Sequence, residues 1–208
     1  MRYCILGTTF IIKIKLMGKT RMEAFSDGVL AIVLTIMVLE MKIPHGSDFA
    51  ALKPLLPAFL SYILSFIYIG IYWNNHHHLL HIVQHINGKV LWLNNHLLFW
   101  LSLVPFATRW MGENHFATWP VVIYGIILLM AIMAYYILAK ALVNHNINNA
   151  KLAKAVGNDT KGKISVIIYA IAIPLNFLHP YIGCVFYILV AMMWLIPDKR
   201  IEKGIGAV

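Results

Sequence analysis

Six apolar stretches, each closed by charged or turn-forming residues, leave this chain few folds to choose from. In lipid every backbone N–H and C=O must be satisfied within the protein, so only helices and closed barrels cross a bilayer. The runs here are too long and too continuous for the alternating strands of about ten residues that build an outer-membrane barrel. The reading is an all-α membrane protein with six transmembrane helices per subunit, embedded in a lipid bilayer. Composition agrees: 61% of the 208 residues are hydrophobic and only 12% charged, far from a soluble globular domain.

The first stretch, Thr20 to Pro44, organises the rest. Thr20 and Glu23 read as a capping box that starts a helix, and Pro44 closes it. Between Gly28 and Leu39 there is no charge. Yet Asp27 to Glu40 rises only about 20 Å, less than a hydrocarbon slab of about 30 Å. Both carboxylates therefore fall near the slab edges, where a charge needs a partner or water. Such a helix is a poor lipid-facing anchor and a good wall for something wet.

Residues 1–18 read as an N-terminal leader, either amphipathic or poorly ordered, or as an over-extended start with Met17 the initiator. The six-helix membrane domain takes 19–197, and 198–208 form a charged tail. Within the domain the second span covers about Ala51 to Tyr72, and a polar connection, Trp73 to Lys89, follows it. The remaining spans cover Val90 to Trp110, Trp119 to Leu142, Ile164 to Leu178 with a kink expected at Pro174, and Tyr181 to Ile196. Fourteen Lys and Arg residues fall on the side of the termini and three (Lys42, Lys53 and Arg109) on the other. By the positive-inside rule both termini are cytoplasmic, in a plasma membrane or cell inner membrane. The net charge of +9 is thus a sorting signal and does not call for nucleic acid. Every loop is short, and no phosphate-cradling glycine loop, G-x-S-x-G or H-E-x-x-H occurs, so the chain does not read as an enzyme. Cys4 and Cys184 read as two apolar thiols.

At 100° per residue Gly28, Ile32, Thr35, Ile36 and Leu39 share one stripe of the first helix. Periodicity alone reads this as ordinary helix-packing surface, with a pore wall as the sharper alternative. Arg21 and Asp27 point to different faces and need partners on other elements. Asn74 to His78 lie on the same side, which favours a structural polar lock over a proton relay. His77, His81 and His85 have the i, i+4 spacing of zinc ligands, but no Cys or acidic residue completes a set, so no metal site is assigned. Asn94, Asn95 and His96, with Thr108 and Arg109, read as hydrogen-bonding residues between helices.

The stretch Arg21-x-x-x-Phe25-Ser26-Asp27 resembles the R-x-x-x-F-S-D signature of the lysosomal potassium channel family, transmembrane protein 175, in its prokaryotic branch. Trp73-Asn74-Asn75-His76-His77 resembles that family's Trp-x-x-His-His segment, and Leu101 to Arg109 resembles its third-span ending. The resemblance implies a potassium-permeable cation channel without a re-entrant pore loop, a homotetramer in which the first helix lines the pore. It implies no cofactor, with potassium as the permeant ion. It places the pore constriction on Ile32, Ile36 and Leu39 and a selectivity hydroxyl on Thr35. It also implies a polar lock of Arg21, Phe25, Ser26, Asp27, Trp73 and His77. The alternative function from another class is a small proton-coupled secondary transporter or metal exporter that uses Asp27 and the histidines. Glu40, near the extracellular mouth, is expected to concentrate cations.

Overall fold

The computed structural model describes residues 3–146, 149–157 and 159–195. The expected tail, 198–208, lies outside the described residues. Among the described residues the chain forms α1 (Tyr3–Leu39), a short 3₁₀ turn (Phe49–Leu55), α2 (Leu56–Ile82), α3 (Gly88–Ser102), α4 (Val104–Glu113), α5 (Thr118–His145), α6 (Ala150–Val156), α7 (Thr160–Leu175) and α8 (Pro180–Leu195). Four stretches, Gly18–Leu39, Phe49–Ile82, Gly88–Glu113 and Thr118–His145, are long and apolar enough to cross a bilayer. The last two spans, α7 and α8, have 16 residues each, a rise of about 24 Å.

Several boundaries differ from the sequence reading: α1 ends at Leu39, before Pro44, α2 begins at Leu56, and three further differences have a physical reason. The helix does not start at Thr20: α1 runs unbroken from Tyr3, so no helix end exists there for a capping box to satisfy. The segment Trp73–Ile82 is not a connection but the last turns of α2. Its polar side chains find partners on neighbouring helices, so helix and polarity coexist. Pro174 does not kink α7. It is the penultimate residue, and the helix ends one residue later, where Asn176 N–H caps the carbonyls of Ala172 and Ile173.

The span α3–α4 is broken at Leu103. Pro105 has no N–H and its ring opposes the carbonyl of Leu101. The ladder tightens, with Leu103 N–H donating to Trp100 at 3.2 Å, and resumes where Ala107 N–H donates to Leu103 at 3.2 Å.

The Lys19 region of α1, the end of α2 and the end of α5 lie together. At one end the Lys19 ammonium reaches the His81 carbonyl, and Asn149 donates to the Ile82 carbonyl at 2.8 Å. Asn146, closing α5, pairs with the backbone of His85 in both directions at 3.0 Å. The Asn149 amide satisfies a carbonyl that the end of α2 leaves free, and Asn146 holds the segment just beyond it. This is the basic end of the molecule.

The core has layers. α1 packs on α2, α3 and α4; α5 stands behind them against α3 and α4; α7 and α8 pack on α5 at the far flank. Between α2, α5, α7 and α8 four buried tyrosines cluster: Tyr68 meets Tyr124 edge to face, and Tyr187 lies tilted against both Tyr124 and Tyr169. Their hydroxyls are all satisfied. Tyr169 donates to Tyr68, Tyr68 to the Tyr187 carbonyl, Tyr187 to the Val121 carbonyl, and Tyr124 pairs with Ser65. Gly125 makes room for the Tyr187 hydroxyl. Such polar pairs between helices supply the specificity that apolar packing cannot give in lipid.

Candidate functional site

α1 has two faces. Met22, Ser26, Leu30, Val33 and Met37, spaced by three or four residues, are buried against α2, α3 and α4. The other face is bare within the subunit: Ile32 is 58% exposed, Ile36 40% and Leu39 79%, with Gly28, Ala31 and Thr35 between them. The stripe picked out by periodicity is thus not the surface that α1 uses to pack on its own subunit. Ile32 and Ile36 also line the wall of an open groove of 710 Å³ shared with Phe106 and Trp110 of α4. The Thr35 hydroxyl donates to the Ile32 carbonyl at 2.9 Å, so its oxygen lone pairs stay available on the exposed side.

At the basic end of this helix two layers of polar contacts join α1 to its neighbours. The inner layer is buried. Ser26 donates to the Met22 carbonyl at 2.8 Å and accepts from the Asn94 amide at 2.9 Å. The Asn94 oxygen lies 2.7 Å from His76 Nε2, so this ring nitrogen is the protonated one, because an amide oxygen only accepts. Ser26, Asn94 and His76 are 0, 1 and 3% exposed. One amide on α3 therefore ties α1 to α2. In the outer layer the Trp73 indole N–H donates to Asp27 at 3.0 Å. The Trp73 ring stacks on His77 at 5.9 Å, and His77 on His81 at 6.3 Å, each one turn along α2.

Of the residues that the resemblance put in the lock, Ser26, Asp27, Trp73 and His77 thus stand together, in two adjacent layers. Arg21 and Phe25 lie on the exposed face, and among the described residues Arg21 has no charged partner. The sequence reads Asn94 as a hydrogen-bonding residue between helices, which it is, but does not join it to the lock, and names His76 only as one of several polar neighbours. The available signal was position: an uncharged amide near the start of an apolar run, level with a serine that lies beside an acid.

The other end of α1 is held differently. Arg109 of α4 pairs with Glu40, just past α1, and with Glu113 at 3.2 Å; Lys42 closes the group on Glu113 at 3.0 Å. Glu40 is therefore not a bare carboxylate, and the expectation that it concentrates cations alone is corrected by its guanidinium partner. The four charges cancel locally.

Comparison with known proteins gives these contacts a family. The family model described as the endosomal/lysosomal potassium channel TMEM175 matches residues 21–105, which include every member of both layers. A protein of Chryseobacterium sp. (strain P1-3), named a potassium channel, is 57% identical over 189 residues, 91% of this chain and 98% of that protein. The human protein named endosomal/lysosomal proton channel TMEM175 is 36% identical over 103 residues, 44% of this chain and 20% of that one. The crystal structure of a lysosomal potassium-selective channel TMEM175 homologue from Chamaesiphon minutus matches with a TM-score of 0.74 and 26% identity, over 86% of this chain and 97% of that one. The chain belongs to the TMEM175 family, a family of ion channels and not of enzymes, in its prokaryotic branch.

Proposed function

We propose that the protein is a potassium-permeable channel whose pore is the axis of a homotetramer lined by four copies of α1. The observation that carries this reading is the aliphatic face of α1, left bare by its own subunit, in a chain similar over nearly its whole length to a protein named a potassium channel. Four such faces turned toward one axis cover each other's apolar surface and leave a narrow path. Rings of Ile32, Ile36 and Leu39 form the constrictions and gate by dewetting, without any charge. A ring of Thr35 oxygens, each hydroxyl already donating to Ile32, presents lone pairs to a partly dehydrated cation. Selectivity for potassium over sodium is then modest, because it rests on dehydration and one hydroxyl layer. The junction of Ser26, Asp27, Trp73 and His77 fixes the rotation of α1 so that the stripe faces the axis. Arg21 and Phe25, on the exposed side, meet neighbouring copies.

The channel domain is assigned to 19–197, in a plasma membrane or cell inner membrane with both termini cytoplasmic. The support for that orientation is the excess of Lys and Arg at one end.

The test is recording from purified protein in liposomes. Unitary potassium currents are expected, with smaller sodium currents, and both Ile32→Asn and Thr35→Ala change conductance or selectivity. Unchanged currents in both variants remove the pore assignment. Saturable flux coupled to protons, without unitary currents, replaces the channel by a transporter. Because the animal relatives carry the name proton channel, proton flux is measured in the same preparation.

A further inference from the structure

The flank formed by α5, α7 and α8, away from α1, carries an apolar band between two aromatic rows. Ile164, Ile167 and Ile171 on α7 and Val185, Ile188 and Met192 on α8 are exposed in the band. One row is level across all three helices. The Trp119 ring meets Phe177 edge to face at 5.3 Å, and Tyr181 lies 5.4 Å from His179 and 6.1 Å from Phe116. The other row stands at the basic end. There the Lys140 ammonium lies 4.5 Å from the centre of the Tyr136 ring, and that of Lys161 lies 6.0 Å from Trp194. Tyr136 and Lys163 border the same groove, which sets the start of α7 level with Tyr136. Tryptophan and tyrosine collect at the two membrane–water boundaries, so two such rows mark where headgroups stand.

The rows are close together. By helical rise, Trp119 to Tyr136 spans about 26 Å, Lys161 to Phe177 about 24 Å and Tyr181 to Trp194 about 20 Å. An ordinary hydrocarbon core is about 30 Å thick, and tilting a helix only shortens its reach. Lys140 shows the same limit. In a thicker slab its ammonium would stretch outward to reach headgroups, yet it lies over Tyr136, one turn nearer the middle of the band. The band has fixed ends. The chain turns between Leu175 and Pro180 at one edge, and at the other Asp159 caps α7 by accepting from Gly162 N–H at 2.9 Å.

We propose that this flank is a docking surface for a thin bilayer: it draws the hydrocarbon core down to about 20–26 Å and is best covered by phospholipids with short acyl chains. The occupant is argued from the two rows. Lipid calls for boundary residues at both edges of an apolar band, and a second copy packed on the band does not. That the flank faces lipid rests on the channel reading, in which α1 faces the axis.

The experiment places the purified protein in lipid nanodiscs of phosphatidylcholines that differ only in chain length, from about 14 to about 22 carbons, to bracket the ordinary core of about 30 Å. Thermal unfolding reads which thickness the folded protein prefers, because a partner that binds only the folded state raises its melting temperature. The melting temperature is expected to be highest with chains of about 14–16 carbons and to fall by about 5 °C toward the longest chains. A maximum at about 18 carbons or more, or no dependence on chain length, overturns the proposal, and that series needs no variant. A second measurement finds the boundaries on the flank itself. Ile164→Cys and Phe177→Cys stand about 20 Å apart along α7, with Ile171→Cys between them. In nanodiscs with chains of about 18 carbons, both faces are open to solution. A water-soluble maleimide should label the two end positions and spare the middle one, counted above the unaltered protein. A core of about 30 Å cannot leave both ends at its surfaces, so an end spared as fully as Ile171→Cys overturns the proposal. Disulfide cross-linking between copies through Ile171→Cys would show that a second copy covers the band, and also overturns it. None of these readings involves ion flux. A protein without potassium current but with the short-chain optimum keeps this surface, and a conducting protein with a long-chain optimum loses it and remains a channel.

Discussion

The Asn94 amide reaches the Ser26 hydroxyl at 2.9 Å although the two side chains belong to α3 and α1, and each is buried. Replacing Asn94 by Leu keeps the volume and deletes both of its hydrogen bonds. Ser26 still has the Met22 carbonyl, but His76 loses the acceptor that holds its ring. The expected cost is about 1–2 kcal/mol, in line with interhelical hydrogen bonds measured within bilayers. Thermal or denaturant unfolding of the detergent-solubilised protein reads it, and wild-type stability in Asn94→Leu would show that the amide carries nothing.

Trp73 and Asp27 are tested as a pair. Trp73→Phe keeps an aromatic ring over His77 and removes the indole N–H; Asp27→Ala removes the acceptor. A double-mutant cycle should give a coupling of about 0.5–1 kcal/mol, so that the double variant loses less than the sum of the single ones. Strict additivity would mean that the 3.0 Å contact contributes no energy of its own.

Gly112 lies where α4 crosses α2, and a Cβ there would stand 2.5 Å from the Ala58 backbone and 2.7 Å from the Ser61 hydroxyl. Ser61 also donates to the Thr108 carbonyl at 3.1 Å, so the crossing cannot open without losing that bond. Gly112→Ala should cost about 1–3 kcal/mol. Gly70, inside α2, has nothing within 4 Å of its missing Cβ. There the same substitution should stabilise by about 0.5–1 kcal/mol through helix propensity alone. Melting curves of the two variants should therefore move in opposite directions.

Arg109 neutralises Glu40 and shares Glu113 with Lys42. Arg109→Gln leaves two carboxylates against one lysine. If this end of α1 is the outer mouth, potassium conductance at low ionic strength should rise in the variant. The difference should vanish near 1 M salt, where the screening length is about 3 Å. A conductance change that persists at high salt would point to altered packing of α4 and not to the local field.

The architecture was legible in the sequence because the bilayer admits so few solutions. Long apolar runs give spans, and basic gaps give ends. What sequence missed were boundaries decided by tertiary partners. Trp73 to Ile82 reads as a connection by composition, yet Asn94, Asp27 and Tyr135 supply partners for His76, Trp73 and the Asn75 carbonyl, so the helix continues. Thr20 with Glu23 has the spacing of a helix start, but nothing local shows whether the chain before it is already helical. The stripe on α1 was readable from periodicity, and its being bare was not. Exposure depends on which side α2, α3 and α4 take, and Val33 and Met37 do not differ in character from Ile32 and Ile36.

The break at Leu103 divides one span into two rods, and α1 is attached to both. Its basic end is tied through Ser26 to Asn94 on α3; its other end is tied through Glu40 to Arg109 on α4. Bending at that joint therefore reaches the two ends of α1 unequally, as torque or as tilt along Gly28 to Leu39. The third span is in this sense a crank with a single elbow, and α1 is its shaft.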